Sequence, residues 1–576
     1  MGRIVGIDLG TSTSEISILV EGKPFVIPNS NGETIIPSIV GINDEGQIIV
    51  GKEAREQLLL KPEDTIMEVK RLMGSDVKVK MAGKEYTPQE VSAYILTYLT
   101  NFASEYLGEK IERAVITVPA FFTDEQRRAT VEAGKLAGLK VERIINEPTA
   151  ASLDYGIDHM EECKNVLVYD LGGGTLDVTV LEMFEGVMEV KASSGNNKLG
   201  GKDFDEILIK YFLQKFKGKH NIDVSNDIRA MMRLKESSEQ CKIALSKHEI
   251  FELVLPFFAN VNGRPVSLEE TVTRESFETL IKPQIDSTSV QINSALLDAG
   301  LKPIDIDLVI LVGGSTRIPY VRKLVGRVMG SVPGTLLDPD MAVVRGACIQ
   351  AAILNQELDA DRDILVTDVC PYTLGVAILD EVSGMIMKDV FDIIIPRNIT
   401  IPVIREKIYK TCADYQTKVE IKVYQGEYRK ASSNNSLGSF MIEGIPAKPA
   451  FEEKIKVIFS YDVNGILNVE ATILSNEKKA NITVVTAGSE MRKEVDLTNW
   501  KKAPNSKKYR VVITKAQRVL ENDQAGENAL EIEDIIRDIK TALIEGKDDE
   551  LLAELIEDLE QILFDLDEED NSDDDD

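Results

Sequence analysis

Residues 5–20 read VGIDLGTSTSEISILV, and residues 167–182 read LVYDLGGGTLDVTVLE. Aligned on Asp8 and Asp170, the two stretches lie 162 residues apart and follow one plan. An apolar run reaches an aspartate, a Leu-Gly step and small hydroxyl or glycine residues follow, and an alternating strand continues, as in Glu15-Ile16-Ser17-Ile18 and Asp177-Val178-Thr179-Val180. A glycine turn between two strands bares several backbone N–H groups to one point, and a carboxylate beside it can hold a hydrated metal ion. Two such turns facing each other would grip a metal-chelated polyphosphate.

At 576 residues the chain is too long for one core, and about three to four structural units are expected. The formal net charge of −30 argues against nucleic acid or an anionic membrane as the partner. Much of that charge is local, because residues 545–576 hold 17 Asp or Glu against a single Lys. Such an end reads as a solvated tail. Cys163, Cys241, Cys348, Cys370 and Cys412 show no CxxC spacing, so neither a zinc site nor a disulfide framework is expected, which fits a reducing compartment. No charged segment followed by an apolar run opens the chain, and no apolar run approaches the roughly 20 residues of a membrane span. A cytoplasmic protein is expected.

Residues 1–358 alternate strands with helical segments: Ala114 to Pro119 is a strand and Asp124 to Leu139 a charged helix. Asp307 to Val312 reads as a third buried strand, ending in Gly313-Gly314-Ser315-Thr316-Arg317, with a helix from Pro319 to Met329. Residues 359–368 form an acidic linker around the apolar run Ile364-Leu365-Val366. From 369 to 486 short alternating strands such as Val419 to Tyr424, Ile455 to Phe459 and Ile466 to Ala471, with Asn464-Gly465 as a hairpin turn, predict an antiparallel β-sandwich. Residues 487–566 are read as a short helical lid, in which Leu552, Leu555, Ile556, Leu559, Ile562, Leu563 and Leu566 recur at three and four. Residues 567–576 are low-complexity acid and are expected to be disordered.

Alone, Gly172-Gly173-Gly174-Thr175 reads as an ordinary turn. Together, Asp8-Leu9-Gly10-Thr11, Asp170 to Thr175 and Gly313 to Arg317 recur in the order of two phosphate loops and one nucleoside loop. In this the chain resembles the actin-like ATPase fold, in which two ribonuclease-H-like lobes close over ATP. Within that superfamily it is far more similar to the heat shock protein 70 family, the DnaK-type chaperones. The resemblance is nearly full-length. It rests on IDLGTSTS (7–14), VKRLMG (69–74), VPAFFTDEQRRATVEAGKLAGL (118–139), INEPTAASLDYG (145–156), DLGGGTLDV (170–178), GGKDFD (200–205), ILVGGSTRIP (310–319), DILVTDV (363–369) and YQGEYRKASSNNSLGSF (424–440).

The resemblance implies an ATP-dependent chaperone, and implies its parts residue by residue. Gly10, Thr11, Ser12, Gly172, Gly173, Gly174 and Thr175 would meet the phosphates of ATP or ADP, while Asp8 and Asp170 would order water around Mg²⁺, with K⁺ admitted as a second ion. Asp177 would belong to the same polar floor. Lys70 is the expected γ-phosphate cation, and Glu147 the carboxylate that positions attacking water or hydrated metal, as phosphoryl transfer by positioning and charge neutralisation requires. Gly201, Glu239, Lys242, Ser246, Gly314, Ser315 and Arg317 would surround the nucleoside. Some members stack an arginine on the base where this chain has Ile243. The first loop reads Thr11-Ser12-Thr13 where relatives often have two threonines and then Asn or Tyr, so the small hydroxyls survive.

By the same resemblance Pro119 and Arg127 relay phosphate occupancy outward, and Ile364, Leu365 and Val366 dock on the ATPase lobes in one state and release in the other. Val376, Leu379, Tyr409, Cys412, Val419 and Ile421 fall at positions that grip an extended client segment, with Tyr409 in place of phenylalanine making the pocket slightly more polar. A J-domain co-chaperone would touch Arg143, Asn146 and Asp368, and a nucleotide-exchange factor is the other expected helper besides unfolded client polypeptides. Only about seventy residues run from Lys507 to the end, and Ala450 stands where relatives carry an arginine that latches the lid, so a shortened lid with faster client exchange is expected. Two other readings stay open at this point: a scaffold chaperone with one client and little turnover, and a small-molecule kinase of the actin-like superfamily.

Overall fold

The computed structural model describes residues 2–159, 161–261, 264–331, 333–334, 337–358, 364–382, 385–483, Trp500, 506–521 and scattered helical positions between 532 and 563. The acidic tail 567–576 and linker positions 359–363 lie outside the described residues. Two compact units result, Met1–Ser489 and Glu490–Asp576.

Each half of the repeat folds as a hairpin. Strand Ile4–Leu9 runs antiparallel to Thr13–Val20 and pairs Asp8 with Glu15, while Lys164–Leu171 pairs with Leu176–Phe184 and sets Asp170 opposite Asp177. The same register therefore places two carboxylates at the mouth of each turn. Glycine is required at the first turn, because a Cβ on Gly10 would stand 2.2 Å from the Thr13 carbonyl. Each hairpin gains a parallel neighbour, Arg113–Val118 beside the first and Leu308–Val312 beside the second. The first sheet then runs Lys140–Asn146, Arg113–Val118, Ile4–Leu9, Thr13–Val20, Lys23–Val26, with Ile36–Pro37 off its path. Their buried Val, Ile and Leu runs are those of strands covered on both faces, and helices including Pro88–Leu107, Glu147–Gly156 and Ala342–Leu354 flank them.

The helix expected over Asp124 to Leu139 ends three residues early, at Leu136. Gly138 there has φ +78°, a left-handed conformation that turns the chain into strand Lys140–Asn146.

The expected linker is not a loose tether in this structure. Leu365–Val369 pairs parallel to Val187–Asn196 and antiparallel to Thr400–Ile401, so it is an inner strand of the second lobe's six-stranded sheet. Alternation divides its apolar run: Ile364 and Val366 are buried with Met183, Met188 and Val190, whereas Leu365 is 58% exposed. Beyond it two four-stranded antiparallel sheets enclose one core built on Val376, Ile395, Ile421, Phe459 and Val469. Asn464-Gly465 lies in the turn joining Lys454–Tyr461 to Leu467–Ile473, with Gly465 at φ +69°.

In the second unit, helix Ser506–Glu521 contributes Tyr509, Ile513 and Ala516 to a cluster with Ile532, Ile536, Ile539, Leu543, Leu552, Leu559 and Leu563. Spacings of three and four throughout mark helical faces packing on one another. Among the described residues no helix is long and apolar enough to cross a membrane.

Candidate functional site

Both hairpin turns open onto one cavity of about 760 Å³. Asp8, Gly10, Thr11, Ser12, Thr13 and Glu15 line it from the first hairpin, and Asp170, Gly172, Gly173 and Thr175 from the second. Lys70, from a 3₁₀ turn at Val69–Leu72, and Glu147, at the head of helix Glu147–Gly156, close the floor. The remaining wall comes from two helix faces, the Gly313–Arg317 turn, and Pro339, Asp340 and Val343. Glu239, Lys242, Ile243, Ser246 and Lys247 recur at three and four along Ile228–Lys247, and Ile318, Pro319 and Arg322 begin Pro319–Met329.

Backbone meets backbone across the turns. Gly172 N donates to Thr175 O at 3.0 Å, and Gly201 N to Gly172 O at 3.0 Å. A Cβ on Gly173 would stand 2.3 Å from Ser12 Oγ, and one on Gly201 would stand 2.6 Å from Ser315 Oγ. Gly174 and Gly201 lie just behind the wall rather than on it, and Arg71 Nη2 reaches the Gly174 carbonyl at 3.3 Å and Asp203 at 2.7 Å.

The floor is crowded with carboxylates. Burial raises the Asp8, Glu147 and Asp170 carboxyls, Asp170 well above its usual range with Glu147, Asp177 and Asp8 adding to the effect. Glu15 is pushed well up by burial and by Asp8 opposite it, and burial lifts Asp177 to about 7. Against these groups stands the Lys70 ammonium, 2.5 Å from Glu147 Oε1, which opposes the rise at Asp8, Glu147 and Asp170. Asp177 Oδ1 accepts from Phe121 N at 3.1 Å, while its buried Oδ2 has no hydrogen-bond partner. An excess of buried carboxylates over cations fits a bound cation, and tightly apposed glycines fit a polyphosphate. Among the described residues no three His, Cys, Asp or Glu side chains converge as direct metal ligands.

Elsewhere three of the wall's charged residues, Glu239, Lys242 and Arg317, are held in ion pairs. Glu239 is bound by Arg55 at 2.6 Å and Lys202 at 3.0 Å, Lys242 by Asp205 at 2.8 Å, and Arg317 by Asp338 at 2.7 Å and Asp340 at 2.6 Å. Ser246 Oγ donates to the Lys242 carbonyl at 3.0 Å, and Ser315 Oγ to Gly172 O at 2.8 Å. Ile243 is 52% exposed on this wall, and Gly314 borders the same end. Sequence reasoning did not single out Arg322, Lys247, Val343 or Asp340. Their helical spacing from Ile318 and Ile243 was the available signal for the first two.

Away from the cavity, Pro119 is buried at a strand end, and the buried Arg127 donates to Phe122 O, Ala120 O and Asn146 Oδ1 at 3.2, 2.8 and 2.8 Å. Asp368 accepts from Thr149 Oγ1 at 3.1 Å, and Arg143 lies within its electrostatic reach. The six client-site candidates separate. Val376 and Ile421 are core residues, Tyr409 and Val419 pack against that core, and Leu379 and Cys412 are exposed. The Tyr409 hydroxyl donates to Asp392 Oδ2 at 2.6 Å, so its polarity is tied to the sandwich rather than left free in a pocket.

Comparison with known proteins agrees with this architecture. The family model described as "Hsp70 protein" matches residues 4–576. The chain is similar to the proteins named "Chaperone protein DnaK" of Thermotoga petrophila, Thermotoga sp. strain RQ2 and Thermotoga maritima, each 49% identical over 484 residues, covering 84% of this chain and 80% of the relative. Paired acid-and-glycine hairpins around one cavity, a sandwich joined to them by a paired strand, and a whole-length family match lead to one conclusion: the chain belongs to the Hsp70 family and is a DnaK-type, ATP-hydrolysing molecular chaperone.

Proposed function

We propose that residues 1–358 form the ATPase, that residues 359–368 couple it to a client-binding sandwich over 369–486, and that hydrolysis proceeds in the 760 Å³ cavity between the two hairpins. What carries the reading is that both copies of the repeat line that one cavity, each with its carboxylate pair in the same register. Asp8 and Asp170 would hold hydrated Mg²⁺ there. When bound, Mg²⁺ neutralises phosphate charge that protein cations alone would not balance. Thr11, Ser12, Thr175 and the N–H groups of Gly10 and Gly173 receive the phosphates, Gly172 and Gly174 shape the turn behind them, and Lys70 faces the γ-phosphate. Glu147, oriented by Lys70, accepts a hydrogen bond from the attacking water and fixes its line of approach. Ile243 and the flat, carboxylate-anchored guanidinium of Arg317 bound the base, with Glu239, Lys242, Ser246, Gly314 and Ser315 around the ribose and Gly201 packed behind Ser315.

In this reading Arg127 and Pro119 carry occupancy outward, and a J-domain partner approaches Arg143, Asn146 and Asp368 beside the docked linker strand. Extended client segments bind the sandwich, a nucleotide-exchange factor reopens the cleft, and the work is done in the cytoplasm. Single-turnover hydrolysis tests the site. Asp8→Asn combined with Asp170→Asn is expected to slow it by about 100-fold or more; unchanged turnover overturns the assignment.

A further inference from the structure

Three Asn-Gly steps occur in the chain, at 31–32, 262–263 and 464–465, the second of them outside the described residues. The other two sit in turns of one design. Asn29 Oδ1 accepts from Asn31 N at 2.9 Å and Glu33 N at 3.0 Å, and Gly32 N donates to Asn29 O at 2.9 Å. Asp462 Oδ1 accepts from Asn464 N and Ile466 N, both at 2.9 Å, and Gly465 N donates to Asp462 O at 3.0 Å. Both glycines are left-handed, Gly32 at φ +80° and Gly465 at φ +69°. The local backbone therefore gives the two asparagines the same chemistry.

Their surroundings differ. Asn31 and Gly32 are exposed, whereas Gly465 is buried and Asn464 partly so. Strand Lys140–Asn146 is an edge of the first sheet, and Asn464 Oδ1 accepts from Ile144 N of that edge at 2.9 Å. The Asn464 carbonyl lies 3.4 Å from Arg127 Nη1, and a Cβ on Gly465 would stand 3.2 Å from Arg127 Nε. The carboxamide is thus tethered by its oxygen, and the peptide that follows it is covered by one arginine. Both restraints come from the first lobe, so they exist only while the sandwich is docked on it.

An asparagine before glycine is prone to cyclise, because glycine sets no side chain in the path to its own nitrogen. The Gly465 nitrogen, its proton given up to a solvent base, would attack Asn464 Cγ. The new C–N bond closes an imide ring, the Cγ–Nδ2 bond breaks, and Nδ2 takes a proton from water and leaves as ammonia. Water then adds to one imide carbonyl. Opening at Cγ gives aspartate, and opening at the main-chain carbonyl gives isoaspartate. Closure needs Cγ to swing onto the glycine nitrogen, which breaks the Ile144 contact. We propose that Asn464 is a deamidation site shielded by the docked sandwich, so that it ages only while the sandwich is away from the first lobe. Acid at 464 then accumulates with time spent undocked, the state in which the chain holds client. The proposal rests on the reading that nucleotide couples the ATPase to the sandwich.

The test incubates the full chain in mildly alkaline buffer, either with ADP and a hydrophobic peptide or with regenerated ATP. Mass spectrometry of the digest reads aspartate and isoaspartate at 464 and at 31, and Asn31 is the internal reference for pH, temperature and time. With ADP the Asn464 rate should approach the Asn31 rate. With ATP, and about nine-tenths of the molecules docked, it should fall about tenfold relative to Asn31, because the rate follows the open population. Hydrogen exchange of the Ile144 amide in the same samples reports docking. Deamidation of Asn464 at the Asn31 rate while Ile144 is protected overturns the proposal, and so does an Asn464 that stays slow while Ile144 exchanges freely. Ile144 exchange indifferent to nucleotide sinks the coupling reading instead. The shielding is then decided by the Asn464-to-Asn31 ratio in native buffer against that in urea, where both turns are lost: a ratio about tenfold lower in native buffer keeps it, and an equal ratio overturns it.

Discussion

Arg127 Nη1 lies 3.4 Å from the carbonyl of Asn464, joining a helix of the first lobe to a turn of the sandwich 337 residues away. At the same turn Asn464 Oδ1 accepts from Ile144 N at 2.9 Å, while Leu467 N donates to Asp124 Oδ1 at 2.7 Å and Arg128 Nη2 donates to Leu467 O. Arg127 meanwhile holds Asn146, the residue before Glu147, so one guanidinium touches both the site's edge and the docked sandwich. Arg127→Lys keeps the charge but loses the planar fork that serves four acceptors. It is expected to slow ATP-triggered client release about tenfold with client affinity in ADP changed less than about twofold. Stopped-flow release of a labelled peptide after ATP addition reads both.

Lys70 and Glu147 are 5% and 9% exposed and form the floor's close ion pair. Removing Lys70 leaves Glu147 among Asp8 and Asp170 with no balancing cation, a loss of about 3 kcal/mol for a broken buried pair. Lys70→Ala should therefore lower the nucleotide-free Tm of the ATPase transition and slow hydrolysis about 100-fold. In the Lys70→Ala/Glu147→Gln double variant, calorimetry should recover much of the Tm without recovering turnover. A Tm that stays low would show that the pair is not the source of the loss.

What could be read in the sequence was what repeats or alternates. The Asp8/Asp170 duplication fixes two hairpins, and the register puts Glu15 and Asp177 at equivalent places because strand pairing preserves spacing from the turn. Asn464-Gly465 marked its turn, whereas Glu239, Lys242 and Ser246 are reached only through the family resemblance. Long-range partners left no such trace. Nothing in Val187–Asn196 announces that Leu365–Val369 will pair beside it, and nothing in Asp298 announces Arg397 and Asn398, which bind its two oxygens at 2.7 and 3.0 Å. Such contacts depend on how finished modules dock, which local periodicity does not encode. The helix stop at Leu136 has its sequence signal in Gly138, whose left-handed φ of +78° lies just past the helix end.

Asp392 accepts from the Tyr409 hydroxyl at 2.6 Å and pairs with Lys407 at 2.8 Å. Burial and the neighbouring Asp392 carboxylate raise the Tyr409 phenol above its ordinary range, so it stays a donor at any working pH. Tyr409→Phe removes one bond to a carboxylate that keeps its lysine and is partly solvated. A loss of about 1 kcal/mol in sandwich stability is expected, read from the urea midpoint. Client peptide affinity should move less than about twofold by fluorescence anisotropy, since the hydroxyl is engaged with Asp392.

Asp154 offers a pH signature away from the nucleotide cavity. It sits on Glu147–Gly156 where that helix packs against Ala342–Leu354, and Arg345 Nε stands 3.0 Å from Oδ1 without a hydrogen bond to either oxygen. Burial raises its carboxyl from 3.8 to about 6, Arg345 opposing and Asp158 reinforcing the rise. A folded-state value above the unfolded one means that the protonated acid is favoured in the fold. Its stability contribution is therefore complete below about pH 4, declines as pH rises, and is gone above about pH 6. Over the upper part of that window, from pH 5 to pH 7.5, wild type should lose about 1 kcal/mol relative to Asp154→Asn, which does not titrate. Arg345 is 39% exposed and can hydrate when its partner is neutral, so the asparagine variant should fold. Paired urea titrations at the two pH values give the difference directly. A wild-type minus variant stability that does not change with pH would mean that Asp154 is already ionised in the folded protein at pH 5, against the burial that this helix pair imposes on it.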